Sequence, residues 1–422
     1  MEFYEIRRAY KKFENKVPCM LYQPVLADEK SKVAVILEHS DDDYFDFVPA
    51  KELAKRGYSC FVSNVTDPKE SLDQKIEELS CVVEYAKNYP GIEKVILLGH
   101  SGGATLMSAY QSIAENGPDI FRDDKKIIKL DDMGEKRPAD GVMLLDANFG
   151  NGVMSLLSLD PSIVDETDGM RRNPKLDLFN PENGYDEKGC HFSAEFLNEY
   201  KKGQAERMNR LIDYARERVF QIERGKGKFV DDEPMFIPGG TQYAPCNKII
   251  NQMTDFFSHT EGKWDLIGKN GEITNQTVNS VRIMRPGILT AERCHFGALT
   301  TTVKCFLKSS AVRALDDFGY DESTLKGVDW ESSYCCTTGN VAYISRPMLI
   351  MGMTGSYEYI AAEHIYKRAV KSLDKTLAFV KGASHNFVPA FESESEPGEF
   401  GDTVKNCFDF VDRWIYERYI DR

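Results

Sequence analysis

The sequence predicts an α/β protein built on a mostly parallel, doubly wound sheet that one large insertion interrupts. Three observations carry this. Strand-like and helix-like segments alternate over residues 30–150 and again over 345–420. The strand-like segments are near-continuous apolar runs, the pattern of strands covered on both faces rather than one. Between the two stretches the alternation stops for about 190 residues, far more than a connection between neighbouring strands requires.

Taken in order, YEIRRAY (4–10) and VPCMLYQPV (17–25) read as a strand pair ahead of the core. SKVAVILEH (31–39) is a buried strand, followed by the helical stretch FVPAKELAKRG, and YSCFVSNV (58–65) is a second strand. Residues 67–88 have helical spacing with acidic side chains in the first turn. EKVILLGH (93–100) is a third strand that runs straight into the apolar-faced helix GGATLMSAYQSIAENG, and DGVMLLDA (140–147) is a fourth. The insertion opens with helical segments over 191–224. A Pro/Gly-rich stretch, EPMFIPGGTQYAP, comes next, then a hairpin with Asn270–Gly271 at its turn. The sheet pattern resumes at ISRPMLIMGM (344–353), with strand KTLAFVKG (375–382) and a closing helix after it. The expected division is a core of residues 1–150 and 346–422 and a mainly helical cap over 151–345.

Composition narrows the function. The 422 residues carry 53 basic and 67 acidic side chains, a net charge of −14 that is spread along the chain. Such a surface repels nucleic acid and anionic membranes, so neither is an expected partner. A small-molecule substrate is expected, and a homodimer is compatible with the sequence. No secretory signal is read near Met1 and no run of about 18 apolar residues occurs, so the expected location is cytoplasmic. The ten cysteines are scattered without metal-ligand spacing and are expected to be reduced thiols. No metal or organic cofactor is expected, and no G-x-G-x-x-G follows the first strand.

Gly99-His100-Ser101-Gly102-Gly103 fits G-x-S-x-G. By itself the pattern would arise by chance in roughly one chain in ten of this length. Its setting is what matters, because it falls where a buried strand meets a helix. A sharp turn there lifts the serine out of the sheet, the glycines leave room for the turn, and the helix start supplies free N–H groups. The alternative is an ordinary strand–helix turn with Ser101 as a cap.

On these residues the chain resembles the α/β-hydrolase superfamily, through the strand order of 30–150 and 345–420 and the turn GHSGG. No residues match in the insertion, whose position resembles that of the family's cap domains. The resemblance implies Ser101 as nucleophile and His385, in the loop after the last strand (VKGASHNFVP), as its base. His191, His259, His295 and His364 read as core or surface histidines. The family's acid usually follows the strand before the histidine strand. Ser356 stands at that place, so Glu358, two residues on, is the first expectation and Asp146, at the end of LLDANFG, the second. The Gly102 N–H should be one oxyanion donor. The other should come from the loop Glu38–Asp43, where His39-Ser40 stands in place of the family's frequent His-Gly. Asp41 is the first expectation there and Ser40 the second.

The activity this implies is acyl transfer from Ser101, with hydrolysis of a carboxylic ester, thioester or amide of a medium-sized uncharged substrate. C–C bond hydrolysis and acyl transfer to another acceptor use the same constellation. A ligand-binding protein without catalysis is the rival from another class.

Overall fold

A computed structural model describes residues 3–14, 16–186, 188–240, 249–284 and 297–421. His295 and Tyr243 of the insertion, the latter within the Pro/Gly-rich stretch, lie outside the described residues.

The chain opens with β1 (Ile6–Lys12) and β2 (Pro18–Pro24), an antiparallel pair. Strand and helix then alternate: β3 (Val33–His39), α1 (Val48–Lys55), β4 (Ser59–Asn64), α2 (Leu72–Lys87), β5 (Lys94–Ser101), α3 (Gly103–Asn116) and β6 (Gly141–Ala147). The insertion contributes α4 (Asn151–Ser158), α5 (Ala194–Glu223), β7 (Pro234–Pro238), α6 (Ile249–Gln252), β8 (His259–Ile267) and β9 (Ile273–Asn279). It continues with β10 (Ala298–Thr302), α7 (Val303–Ser309), β11 (Ala314–Tyr320), β12 (Leu325–Val328) and α8 (Thr337–Asn340). Alternation resumes with β13 (Met348–Met353), α9 (Tyr359–Arg368), β14 (Lys375–Val380) and α10 (Thr403–Tyr419). Among the described residues no helix is long and apolar enough to cross a membrane.

The main sheet runs β1-β2-β4-β3-β5-β6-β13-β14-β8-β9. It is parallel from β4 through β8 and antiparallel at both ends. This is the α/β-hydrolase arrangement that the sequence resemblance implies. Its central strands are apolar because helices cover both faces: every residue of VAVILEH, GVMLLDA and MLIMGM in β3, β6 and β13 is buried. Local chemistry sets the helix starts. Ser71 begins α2 through a reciprocal bond in which its N–H donates to Gln74 Oε1 at 3.0 Å.

The insertion departs from the expected mainly helical cap in one respect. Its hairpin joins the main sheet, because Asp265, Leu266 and Ile267 of β8 lie in parallel register with Ala378, Phe379 and Val380 of β14. The division at residues 151 and 345 therefore cuts through the sheet. Polar side chains (Glu261, Lys263, Asp265) alternate with the buried ones in β8, which disguises it as a surface strand. Glu363 of α9 locks it in place. The buried Glu363 carboxylate accepts from the Glu261 and Gly262 N–H groups at 2.9 Å each and from Trp264 Nε1–H at 3.0 Å. Elsewhere the insertion shares a hydrophobic cluster with the sheet, with Tyr200, Met208 and Phe257 packed into the same core as Leu144, Ile350 and Phe379.

Removing the Glu363 carboxylate would leave three partly buried donors without it, at a cost toward the lower end of about 1–3 kcal/mol each. Glu363→Ala is expected to lower unfolding free energy by about 2–4 kcal/mol in urea titration. A change below about 0.5 kcal/mol, within the range of ordinary surface substitutions, would show that β8 is held by other means.

Candidate active site

The turn from β5 into α3 has the shape its glycines permit. Ser101 adopts φ +52°. A Cβ on Gly99 would stand 2.6 Å from Ala104 Cα, and one on Gly103 would stand 2.6 Å from the Glu38 carbonyl oxygen. Strand β3 and helix α3 are thus in backbone contact across the turn, which no larger residue allows. Among the described non-glycine residues five have positive φ, and three of them are Ser101, Asp146 (+46°) and Phe387 (+70°). Each such residue costs about 1–3 kcal/mol. Their concentration at the carboxyl ends of β5, β6 and β14 marks one strained locus.

His385 lies in the loop after β14, as expected. Ser384 N–H donates to the Val388 carbonyl at 2.7 Å and Thr403 Oγ1–H to the Phe387 carbonyl at 2.6 Å, so the loop is tied to itself and to α10. Ser101 and His385 line one open cleft of about 580 Å³, together with Asp42, Asp43, Tyr44 and Phe47.

The acid is where the first sequence expectation needs correction. His385 Nδ1 is 2.6 Å from Asp146 Oδ2. Glu358 Oε2 is 3.8 Å from the other ring nitrogen, Nε2, beyond hydrogen-bond range. Topology explains the exchange. β6 sits between β5 and β13, so the fully buried Asp146 at its end faces the histidine loop directly, and its Oδ1 accepts the Met353 N–H at 2.8 Å. Glu358 begins α9 beyond the turn after β13 and reaches the imidazole from its opposite edge. Burial and the Glu358 carboxylate push the neighbouring Tyr357 hydroxyl well above its usual value.

His100 connects nucleophile turn and histidine loop. Its Nε2 meets the His385 carbonyl at 2.8 Å and its Nδ1 meets Tyr44 Oη at 2.6 Å. A carbonyl only accepts, so Nε2 carries the proton and Tyr44 donates to Nδ1. Burial and the neighbouring His385 hold His100 well below the usual imidazole range, which suits this neutral form. The His100 and His385 rings lie 4.4 Å apart between centroids.

On the oxyanion side the loop after β3 packs on Gly102, where a Cβ would stand 2.9 Å from Ser40 Oγ. The expectation for Asp41 also needs correction. The Asp41 N–H donates to His39 Nδ1 at 3.0 Å, and the Asp42 N–H does the same at 2.9 Å, because the chain curls around the His39 ring. The Ser40 amide is not drawn into that turn, which leaves the second expectation standing. Two of the three aspartates, Asp41 and Asp43, find separate partners. Asp41 pairs with buried Lys75 at 3.2 Å, while Asp43 Oδ1 accepts from the Phe45 N–H and from Asn64. Among the described residues no group of three or more His, Cys, Asp or Glu side chains is placed to hold a metal ion.

The sequence gives His39 a place only as the residue ahead of Ser40, and gives Tyr44 none. The contacts of His100 and Tyr44 join segments far apart in the chain, and only the x position of G-x-S-x-G hinted at His100.

No family model matches the chain, and no curated protein matches it. Among solved structures it is similar to DcsB in complex with a substrate analogue, at 10% identity over 98% of this chain and 99% of that one, TM-score 0.45. It is also similar to Est1E from Butyrivibrio proteoclasticus, at 10% identity over 98% and 99%, TM-score 0.42. The α/β hydrolase GrgF from Penicillium sp. sh18 stands at 12% identity over 98% and 99%, TM-score 0.42. Similarity at this level adds nothing to what the strand order and the site geometry establish.

Beneath the nucleophile turn lies Glu38, buried, with Oε2 accepting from Ser63 and Oε1 without a partner among the described residues. Burial pushes its carboxyl up to about 8, against the opposing hydrogen bond from Ser63. A carboxyl raised on folding favours the folded state below its ordinary value, and that contribution is lost as pH rises to the folded value. Urea midpoints are therefore expected to fall between about pH 5 and about pH 8 by an amount that Glu38→Gln removes. Parallel pH profiles for the two proteins would show that Glu38 is charged at neutral pH after all.

Proposed function

We propose that the chain is a serine hydrolase that cleaves carboxylic esters, or the related thioesters and amides, of medium-sized uncharged substrates. The observation that carries this reading is the 2.6 Å contact between His385 Nδ1 and buried Asp146, in the same cleft as the strained Ser101. Asp146 keeps the proton on Nδ1, so Nε2 presents its lone pair to the cleft. Ser101 Oγ attacks the substrate carbonyl, its proton passes to His385 Nε2, and the carbonyl π pair moves to oxygen. The Gly102 and Ser40 N–H groups receive that oxyanion. Collapse expels the leaving group with the proton from His385, and water then releases the acyl group by the same steps in reverse order.

Two features support the substrate class. The cleft mixes the apolar Phe47, Val48 and Val388 with the carboxylates of Asp42 and Asp43, which repel an anionic acyl group. A second cavity, of about 210 Å³, lies against Ser40, Asp41 and Asn151 and is bordered by Gly240, Leu299 and Thr300 of the insertion. This supports reading the insertion as a lid over the loop after β3.

Labelling with a fluorophosphonate probe tests the reading, with attachment at Ser101 and its loss in Ser101→Ala as the expected result. Ser101→Ala should lower kcat on p-nitrophenyl esters by about 10⁵–10⁶. An unlabelled, correctly folded protein would leave a ligand-binding role instead. The two carboxylates are separable in the same assay. Asp146→Asn should cost about 10³–10⁴ in kcat, whereas Glu358→Gln should stay within about tenfold of wild type. The reverse order would return the acid's part to Glu358.

A further inference from the structure

His39 is buried, with 4% of its surface exposed, and takes no part in the three-residue relay above. Its Nδ1 accepts two backbone N–H groups, from Asp41 at 3.0 Å and from Asp42 at 2.9 Å. Both donors need the Nδ1 lone pair, so the ring proton sits on Nε2. The Tyr44 ring, 4.8 Å away between centroids, holds the imidazole plane. Burial lowers the His39 value, which keeps the ring neutral.

Nε2 is turned to the nucleophile turn. Three polar atoms crowd the point where a Cβ on Gly102 would stand: Ser40 Oγ at 2.9 Å, Asn151 Oδ1 at 3.1 Å and His39 Nε2 at 3.2 Å. The first two have partners. Ser40 Oγ–H donates to Asp41 Oδ2 and accepts from Asn151 Nδ2, and Asn151 Oδ1 accepts from Thr105 Oγ1–H. The His39 Nε2–H alone has no acceptor among the described residues. The small exposed part of the ring leaves this N–H open at the turn, where it can meet an incoming oxygen, rather than sealed in the core.

We propose that His39 is a catalytic residue whose Nε2–H, fixed by the Asp41 and Asp42 amides, donates to the oxyanion formed on Ser101. The acceptor missing from the resting protein is the oxygen that gains charge during reaction. The two amides that curl onto Nδ1 are what set the tautomer, so the loop withdraws the Asp41 N–H from the oxyanion and presents a side-chain N–H in its place. This rests on the reading of Ser101 as nucleophile.

Two substitutions separate the two edges of the ring. In His39→Asn the amide oxygen can still accept the loop amides, but nothing replaces Nε2–H. In His39→Gln the longer amide can place an N–H near the Nε2 position, but the loop acceptor is lost. The readouts are kcat and KM for p-nitrophenyl butyrate and the inhibition constant of 1,1,1-trifluoro-2-octanone. The Ser101 oxygen adds to that ketone's carbonyl carbon, its proton moves to His385, and the carbonyl oxygen becomes an alkoxide in the oxyanion site. His39→Asn is expected to lower kcat by about 10²-fold with KM nearly unchanged, and to weaken the ketone by a similar factor. His39→Gln should recover at least part of both. Circular dichroism and urea midpoints confirm that each variant is folded. The proposal is overturned if His39→Asn stays within about threefold of wild type, a difference of under 1 kcal/mol in the barrier. It is overturned equally if kcat falls while ketone affinity holds, or if His39→Gln is the more damaged variant, since either result assigns His39 to loop support. A wild-type protein that fluorophosphonate fails to label at Ser101 removes the nucleophile itself, a failure distinct from a labelled wild type with an indifferent His39.

Discussion

The buried carboxylate of Asp146 is the point on which the site is assembled. One oxygen accepts the Met353 N–H at the end of β13, and the other meets His385 Nδ1 in the loop after β14. A single side chain on β6 thereby fixes the carboxyl ends of two further strands relative to the strand that carries Ser101. Placing an ionised group at zero exposure is costly unless its oxygens are matched. Here both are, and the left-handed backbone of Asp146 is the conformation that aims them. The neutral His100 completes the arrangement from the other side, since its ring spans Tyr44 and the His385 carbonyl. Nucleophile turn and histidine loop are consequently one rigid unit.

Much of this was legible in the sequence, for physical reasons that differ by element. Strands buried on both faces leave unbroken apolar runs, so β3, β5, β6, β13 and β14 could be read directly. The nucleophile turn was legible because its constraints are local: Gly99 and Gly103 are needed within two residues of Ser101. The acid was not legible in rank, because two carboxylates more than 200 positions apart in sequence end on opposite edges of one imidazole. Only the adjacency of β6 and β13 decides between them. The second oxyanion donor failed for a subtler reason. Whether Asp41 or Ser40 offers its amide depends on which N–H groups turn toward the His39 ring, a matter of a few dihedral angles in one loop. Strand β8 was legible as one arm of the hairpin, but its polar alternation gave no sign that it joins the main sheet.

Electrostatics around the cleft follow from the same loop. Asp41 is matched by Lys75. Asp42 and Asp43 stay at the cleft wall, where their charge acts on what enters rather than on the reacting atoms. In a chain of net charge −14, Asp42 and Asp43 thus bring that acidity to the wall of the cleft itself.

The interruption of the sheet has a consequence for how the molecule is made. Val142 of β6 pairs with Met348 of β13, so during synthesis the β6 edge is complete long before its partner strand emerges. Until then a strand edge that is apolar apart from Asp146 is exposed, and the long insertion must collapse without trapping it. Pairings this distant in sequence make folding slow, and the Asp146 carboxylate cannot be matched until β13 and the loop after β14 arrive. The nascent chain is therefore most vulnerable to aggregation in the interval when the N-terminal half-sheet is present and its closing strands are not.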